Sequence, residues 1–339
     1  NKKIIIDAYD PQPLEHLEIF KRYPDPLRRN RHRAITEVTN LSLRMADGIL
    51  CANELQRDLW LGLLMGLKKI SPDRYDEDPS LLQYIGVVPF GLSNDTIKPL
   101  KGMREKFDIK PDDFVLLWGG GIWNWFDPLT LIRAIAQLKD PQIKLVFMGL
   151  KHPNEKVPEM KMASEAVKLV EKLGLTSQVF FNYGWTPYEE RQAFLNESDV
   201  GVSTHLSPLE TRYAFRTRIL DYLWAGLPML LTEGDSFSKL VLEKGAGLVV
   251  SYENVGEAAQ AIKTLKNDTA LKKKMAAQSK SLSDTFKWDK VAEPLNQMIN
   301  RIVSKDGRKK PFMPLLKAGF RLRNPYAIYR SLQAARYGK

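Results

Sequence analysis

The feature that most limits the fold of this chain is an alternation of short apolar runs and segments with helical spacing between about residues 111 and 250. Five of the apolar runs lie at residues 115–118, 144–148, 179–181, 200–203 and 229–232. Strands that alternate with helices over short connections are typical of a parallel sheet covered on both faces. The pattern therefore predicts an α/β fold, with only helical patterns after residue 255.

The length and composition of the chain predict two soluble globular domains. One hydrophobic core rarely organises as many as 339 residues. Apolar residues make up 44% and charged residues 27%, and no apolar run approaches the ~20 residues that span a bilayer. Cys51 is the one cysteine, which excludes a disulfide framework and a multi-cysteine metal site. We therefore expect a cytoplasmic protein.

The positive charge of the chain is concentrated near its end. The formal net charge is +11, and residues 305–339 contain ten Lys or Arg and one Asp, a net +9. Apolar residues such as Phe312, Leu316 and Phe320 lie between these basic residues. This mixture predicts peripheral contact with an anionic membrane at its inner face, the alternative being a solvated surface. No zinc finger, helix-turn-helix or RNA-binding motif supports a nucleic-acid partner.

Three consecutive glycines follow the first strand of the alternating region. Gly119, Gly120 and Gly121 lie between the run at residues 115–118 and a helical pattern. Glycines let backbone amides approach a phosphate closely, and ligands bind at the carboxyl ends of parallel strands. The triplet is a candidate phosphate-binding loop, and a plain tight turn is the alternative.

A second candidate is the polar loop and helix at residues 207–228. Arg218 and Asp221 are three residues apart and share a helical face, so they could form a surface ion pair. Leu220, Leu223 and Trp224 indicate that the helix is mostly buried. Charged groups on a buried helix need partners, and a ligand is one option.

None of the four histidines is placed for metal binding. His16, His32, His152 and His205 are far apart in sequence and lack metal-ligand spacing. His205 follows a strand at its carboxyl end, so it is a candidate ligand contact as well as a structural histidine. We expect no metal site.

The segment ILDYLWAGLP at residues 219–228 resembles the helix of family-4 glycosyltransferases, where an acidic residue precedes a glycine and a proline at the same spacing. Further segments of the chain resemble other signatures of that family and occur in the same order. They are VVPFGL (87–92), WGGG (118–121), VFMG (146–149), NYGWTP (182–187), SDVGVS (198–203) and FKWDKV (286–291). The chain is thus similar to the family-4 (group 1) retaining glycosyltransferases.

This resemblance implies a GT-B fold, in which two Rossmann-like domains with parallel sheets face a cleft. Residues 1–100 would be the remaining part of the N-terminal acceptor domain, whose early strands we expect to be absent. Residues 111–288 would bind the nucleotide sugar. Residues 289–339 would form closing helices and a basic tail that returns to the N-terminal domain.

The resemblance also implies roles for single residues. Asp221 matches the acidic residue that binds the donor ribose. Phe215, Arg216 and Thr217 match the junction that holds the diphosphate through backbone amides. Gly119, Gly120, Gly121 and His205 complete the expected substrate-binding set.

Two departures from the family pattern shape the expected catalytic set. The position of the first family glutamate holds Tyr213, so Glu210 is the candidate replacement. The stretch after Gly121 lacks the usual arginine and lysine, so Arg216 and Arg218 are the candidate phosphate-neutralising residues.

The implied function is transfer of a sugar from a nucleoside-diphosphate sugar to a glycan or lipid-linked acceptor, with retention and without a cofactor. A noncatalytic nucleotide-sugar-binding or scaffold protein of the same fold is the alternative from another class. A GT-B epimerase or phosphorylase is a further enzyme alternative, although no segment suggests a pyridoxal phosphate lysine.

Overall fold

The computed structural model describes residues 2–21, 23–150 and 159–304, and the chain divides into two compact units. Unit 1 comprises Asn1–Phe90, Tyr213–Phe215 and Asp289–Lys339. Unit 2 comprises Gly91–Arg212 and Arg216–Trp288. The basic tail and His152 fall outside the described residues.

Unit 1 contains a parallel sheet of three strands, in the spatial order β1 (Ile5–Asp7), β2 (Gly48–Cys51) and β3 (Ile85–Val87). Its helices are α1 (Gln12–Ile19), α2 (Asp25–Met45), α3 (Glu54–Gly66), α4 (Pro72–Glu77) and, near the end of the described chain, α15 (Glu293–Ser304). Trp60 on α3 is buried in the core and donates its indole N–H to the carbonyl of Ala8 at 2.8 Å. Met298 and Ile302 of α15 form a second cluster with Leu50 of β2.

Unit 2 contains a six-stranded parallel sheet in the spatial order β6-β5-β4-β7-β8-β9. Its strands are β4 (Phe114–Trp118), β5 (Ile143–Phe147), β6 (Val179–Phe181), β7 (Val200–Ser203), β8 (Met229–Thr232) and β9 (Gly247–Val250). All residues of β4, β7 and β8 are buried, as expected for the middle of a sheet that is covered on both faces.

Helices connect the strands of unit 2 and continue after the last one. They are α5 (Met103–Lys106), α6 (Pro128–Leu138), α7 (Lys161–Lys172), α8 (Arg191–Asn196), α9 (Leu209–Tyr213), α10 (Arg218–Ala225), α11 (Ser236–Lys244), α12 (Val255–Asn267), α13 (Thr269–Ser283) and the 3-10 turn η1 (Asp284–Phe286). The next helix, α14 (Trp288–Val291), starts at the last residue of unit 2, and its other residues belong to unit 1. Asp127 caps α6 and Asp235 caps α11 by accepting a hydrogen bond from a backbone N–H of the first turn.

The predicted α/β fold with parallel sheets is confirmed in both units. Two helices begin at positions that differ from the helical spacing of the sequence. The sequence has helical spacing over residues 34–50, which predicts a helix there, whereas α2 begins at Asp25, because its first turns are exposed and carry polar side chains rather than an apolar stripe. The sequence also predicts a helix over residues 188–196, whereas α8 begins at Arg191, since residues 188–190 form a turn.

The helices of the described residues include none that is long and apolar enough to cross a bilayer. The same part of the chain contains no group of three His, Cys, Asp or Glu side chains that could hold a metal ion.

Candidate functional site

The strand order of unit 2 creates a switch point between β4 and β7. Along the chain, β5 is placed beside β4, and β6 is placed beside β5. The chain then returns and places β7 along the opposite edge of β4. Loops that leave the carboxyl ends of two such strands diverge and open a crevice, which is where ligands bind in open parallel sheets. The glycine triplet follows β4, and the loop that leads to α10 follows β7.

The glycine triplet is held against the first turns of α10. The backbone N–H of Gly119 donates to the hydroxyl of Tyr222 at 2.7 Å. The carbonyl of Gly121 accepts from Nη2 of Arg218 at 2.8 Å and from the indole N–H of Trp118 at 3.3 Å. Gly120 has φ +118°, a conformation that other residues rarely adopt, so the loop requires glycine there. The structure therefore brings the glycine triplet and the start of α10 together.

Tyr222 is a buried residue of the site that the sequence did not single out. Its hydroxyl also lies 2.9 Å from the carbonyls of Leu117 and Val202, so it joins the ends of β4, β7 and α10. Burial raises the pKa of Tyr222 to about 12, which keeps the hydroxyl protonated. Its contact with β7 requires glycine, and Gly201 supplies it, but the sequence does not show that these two residues meet.

Arg218 is a buried cation at the end of β4. Its guanidinium carbon lies 4.1 Å from the ring centroid of Phe126 and 4.9 Å from that of Trp118. Burial, with a smaller contribution from Arg216, lowers the pKa of Arg218 to about 10, so the group remains charged at neutral pH. Its Nη1 is buried and has no hydrogen-bond partner within residues 2–21, 23–150 and 159–304. A buried cation with an unused donor suits an anionic ligand.

Arg216 and Glu210 form a buried bidentate ion pair. Nη1 and Nη2 of Arg216 lie 3.0 and 2.9 Å from the two carboxylate oxygens of Glu210. The Nε of Arg216 lies 3.8 Å from a carboxylate oxygen of Asp235, and burial raises the pKa of that acid. Glu210 thus compensates the charge of Arg216.

His205 lies beside this ion pair in a buried position. Burial, followed by the nearby cations Arg216 and Arg218, lowers the pKa of His205 well below its usual value, so the ring is neutral at neutral pH. Its Nε2 lies 3.4 Å from a carboxylate oxygen of Asp235. Neither ring nitrogen has a hydrogen-bond partner within the described part of the chain.

Asp221 pairs with a residue other than the one that its spacing suggested. The sequence left open an ion pair with Arg218, but Oδ1 of Asp221 lies 2.8 Å from Nη1 of Arg191 at the start of α8. Burial raises the pKa of Asp221 to about 6, and Arg191 opposes this rise. Contacts between residues so far apart in sequence leave no local signal, which is why Arg191 was missed.

Two of the predicted substrate-binding residues lie at the edges of this cluster. Thr217 is exposed and directly precedes α10, where its side chain makes no capping hydrogen bond. Phe215 groups with unit 1, where its ring centroid lies 6.0 Å from that of Phe90. Unit 2 brings together Gly119, Gly120, Gly121, His205, Glu210, Arg216 and Arg218. Asp221 lies one turn further along α10, where it contacts Arg191.

Comparison with solved structures identifies the fold. Sucrose-phosphate synthase from Thermosynechococcus elongatus aligns over 90% of this chain and 69% of its own, with a TM-score of 0.61 and 16% identity. HepE from Anabaena, solved in complex with UDP and glucose, aligns over 90% of this chain and 72% of its own, with a TM-score of 0.62 and 17% identity. WaaG, a glycosyltransferase involved in lipopolysaccharide biosynthesis, aligns over 89% and 75%, with a TM-score of 0.60 and 17% identity. These likenesses show the GT-B fold.

Comparison with protein sequences identifies the family. Curated protein sequences gave no match. The family model described as glycosyl transferases group 1 matches residues 102–282, which is more than half of the chain and contains the whole candidate site. The chain therefore belongs to the group 1 glycosyltransferases and is a glycosyltransferase enzyme.

Proposed function

We propose that this enzyme transfers a sugar from a nucleoside-diphosphate sugar to a glycan or lipid-linked acceptor of the cell envelope, with retention of anomeric configuration. The observation that carries the proposal is the buried Arg218 beside the glycine triplet, with Asp221 one helical turn further along α10. HepE, which shares the fold, has been solved with UDP-glucose. WaaG, which also shares it, acts in lipopolysaccharide biosynthesis. Both support the proposed substrate classes.

In the proposed reaction, the bond between the anomeric carbon and the diphosphate breaks, the acceptor oxygen forms the new bond to that carbon, and the proton of the acceptor hydroxyl passes to the leaving diphosphate. Negative charge develops on the leaving diphosphate. The guanidinium of Arg218, the backbone amides of Gly120 and Gly121 and the N-terminus of α10 would stabilise that charge. Asp221 would accept hydrogen bonds from the ribose hydroxyls and fix the nucleotide along α10.

We further propose that transfer needs neither a metal ion nor an organic cofactor, because Arg218 supplies positive charge at the leaving group. A thermal-shift screen of UDP-, dTDP-, GDP- and ADP-glucose tests the donor class, and product formation in the presence of EDTA tests whether transfer needs a metal ion. Proton NMR of the product would report the anomeric configuration and so test retention.

Asp221→Asn is expected to weaken binding of the donor found in this screen by about tenfold or more, because a charge-assisted hydrogen bond contributes about 1.5–3 kcal/mol. Isothermal titration measures the affinity, and a thermal unfolding curve checks that the variant folds. Asp112→Asn, in an exposed turn before β4, is the matched control and should bind like the native enzyme. Equal affinities for Asp221→Asn and the control would remove Asp221 from the donor site.

A further inference from the structure

Arg191 is a fixed cation beside the proposed ribose-binding residue. Its guanidinium carbon lies 3.5 Å from the ring centroid of Tyr188 and 5.4 Å from that of Trp224. Its Nη1 lies 2.8 Å from Oδ1 of Asp221, and the two side chains are 15% and 17% exposed. Stacking on aromatic rings restricts the plane of a guanidinium, so the direction of the contact with Asp221 is fixed.

Asp221 needs such a partner because it is buried. Burial alone favours its neutral form, and a neutral carboxyl is a weaker acceptor than a carboxylate. The ion pair uses Oδ1, and a carboxylate has acceptor positions on both oxygens, so Oδ2 can still accept from a sugar hydroxyl.

Arg191 is the charged group placed to keep Asp221 ionised. On α10 itself, Arg218 is directed to the carbonyl of Gly121. On α13, which also packs against α10, Lys280 lies against Gly226 at the far end of the helix. β7 carries no charged residue, and Arg191 is the single charged residue among Arg191–Asn196 of α8.

We propose that Arg191 is a positioning residue that holds Asp221 as an oriented carboxylate for the ribose hydroxyls of the donor. This inference rests on the proposed function, since it assumes that Asp221 binds the nucleotide. A purely structural role is the competing explanation, because α8 packs against α10 and the ion pair could serve only to join them. The two explanations differ in how donor affinity depends on pH.

The test measures UDP-glucose affinity by isothermal titration between about pH 6 and pH 8.5, a range in which its diphosphate does not titrate. The variants are Arg191→Met, which keeps an apolar stem, Arg191→Lys, which keeps the charge, and Asp221→Asn. Arg133→Met, at an exposed position of α6, is the matched control. Unfolding midpoints are recorded for each variant.

With Arg191→Met, the pKa of Asp221 should rise further, so affinity should fall about tenfold near neutral pH and recover as the pH is raised. Arg191→Lys should retain more affinity than Arg191→Met, and the control should match the native enzyme. Asp221→Asn should bind weakly with no change over this pH range, because the variant has no carboxylate to titrate. The native enzyme should lose affinity only as the pH falls through about 6.

The outcomes separate this inference from the proposed function. A weak Asp221→Asn variant together with a native-like Arg191→Met variant would overturn the positioning role and leave the donor site intact. An equal loss at every pH for Arg191→Met would assign it the structural role instead. If UDP-glucose does not bind, GDP-, dTDP- and ADP-glucose are titrated in turn. Failure of all four would contradict the proposed function, and the inference would fall with it.

Discussion

Two arginines that lie two positions apart in the sequence have different partners in the site. Arg216 gives both of its terminal nitrogens to Glu210, so its charge is already compensated. Arg218 donates to a neutral carbonyl and stacks on aromatic rings, and its charge has no carboxylate partner within residues 2–21, 23–150 and 159–304. The spacing of the two residues in the sequence could not distinguish these roles, because it does not determine where either side chain points.

Arg218→Met is therefore expected to weaken UDP-glucose binding by about tenfold or more while leaving the affinity for uridine nearly unchanged, because only the former carries the diphosphate. Arg216→Met should weaken donor binding less. It should lower the stability of the protein by about 3 kcal/mol, since it breaks the buried bidentate ion pair with Glu210. Isothermal titration and denaturant unfolding of both variants check this difference. A similar loss for uridine and UDP-glucose in Arg218→Met would show that Arg218 supports only the fold.

At the residue scale, the sequence identified the groups that stand next to local signals. The glycine triplet follows a strand, and Asp221 lies in a helix that ends in glycine and proline, so both could be predicted. Tyr222 and Arg191 could not, because their partners are brought to them by the fold. The hydroxyl of Tyr222 contacts Gly119, which lies 103 positions away. Such contacts depend on which strands are neighbours, and one sequence does not record this.

At the element scale, the packing of α10 on β7 determines where the proposed donor site lies. The ring of Tyr222 on α10 lies directly over Gly201 of β7, so that a Cβ at this position would overlap the ring. The existence of both elements could be predicted from their hydrophobic patterns. The position of β7 beside β4 could not be predicted, because the apolar periodicity of a sequence does not show which strands are neighbours in the sheet.

Gly201→Ala is expected to destabilise the protein by about 2 kcal/mol or more, because the added methyl group must displace the ring of Tyr222. Donor binding should weaken in parallel, since Tyr222 also holds Gly119. Denaturant unfolding and titration with UDP-glucose provide the two measurements.

Gly62→Ala is the matched control for this substitution. Gly62 lies on α3 with no atom near the position of the added methyl group. Replacing glycine by alanine within a helix should raise stability by about 0.5–1 kcal/mol. Two variants of equal stability would mean that the contact between Gly201 and Tyr222 does not constrain α10.

At the scale of the whole molecule, the sequence predicted two domains but not how each is assembled. Tyr213–Phe215, which begins with the last residue of α9, is flanked in the chain by segments of unit 2 and nevertheless groups with unit 1. There, Nε2 of Gln56 donates to the carbonyl of Tyr213 at 2.8 Å, and Nδ2 of Asn53 donates to that of Ala214 at 3.3 Å. Backbone carbonyls accept these bonds, so the side chains at residues 213 and 214 carry no information about them.

The distribution of charge along the chain leads to the last prediction, that residues 305–339 bind an anionic membrane. They carry +9 of the net +11 and lie outside the described residues, so the prediction rests on composition. Each basic residue near an anionic surface contributes about 1 kcal/mol. A variant with glutamine at five of them should therefore lose at least about a hundredfold in vesicle affinity. The five are Lys309, Lys310, Arg321, Arg323 and Arg330.

Co-sedimentation with vesicles of anionic or neutral lipid measures this affinity. The control variant carries glutamine at five exposed lysines of unit 2, which are Lys168, Lys172, Lys263, Lys273 and Lys274. It has the same net charge as the tail variant, so a general effect of charge would weaken both alike.

Binding should also weaken as salt is added, because the screening length falls to about 10 Å at 0.1 M. Equal binding of the native protein to anionic and neutral vesicles at low salt would rule out an electrostatic membrane contact. Equal losses in the two variants would show that net charge, rather than the tail, governs it. A loss confined to the tail variant would assign the membrane contact to residues 305–339, and this contact would hold the enzyme at the surface where a lipid-linked acceptor lies.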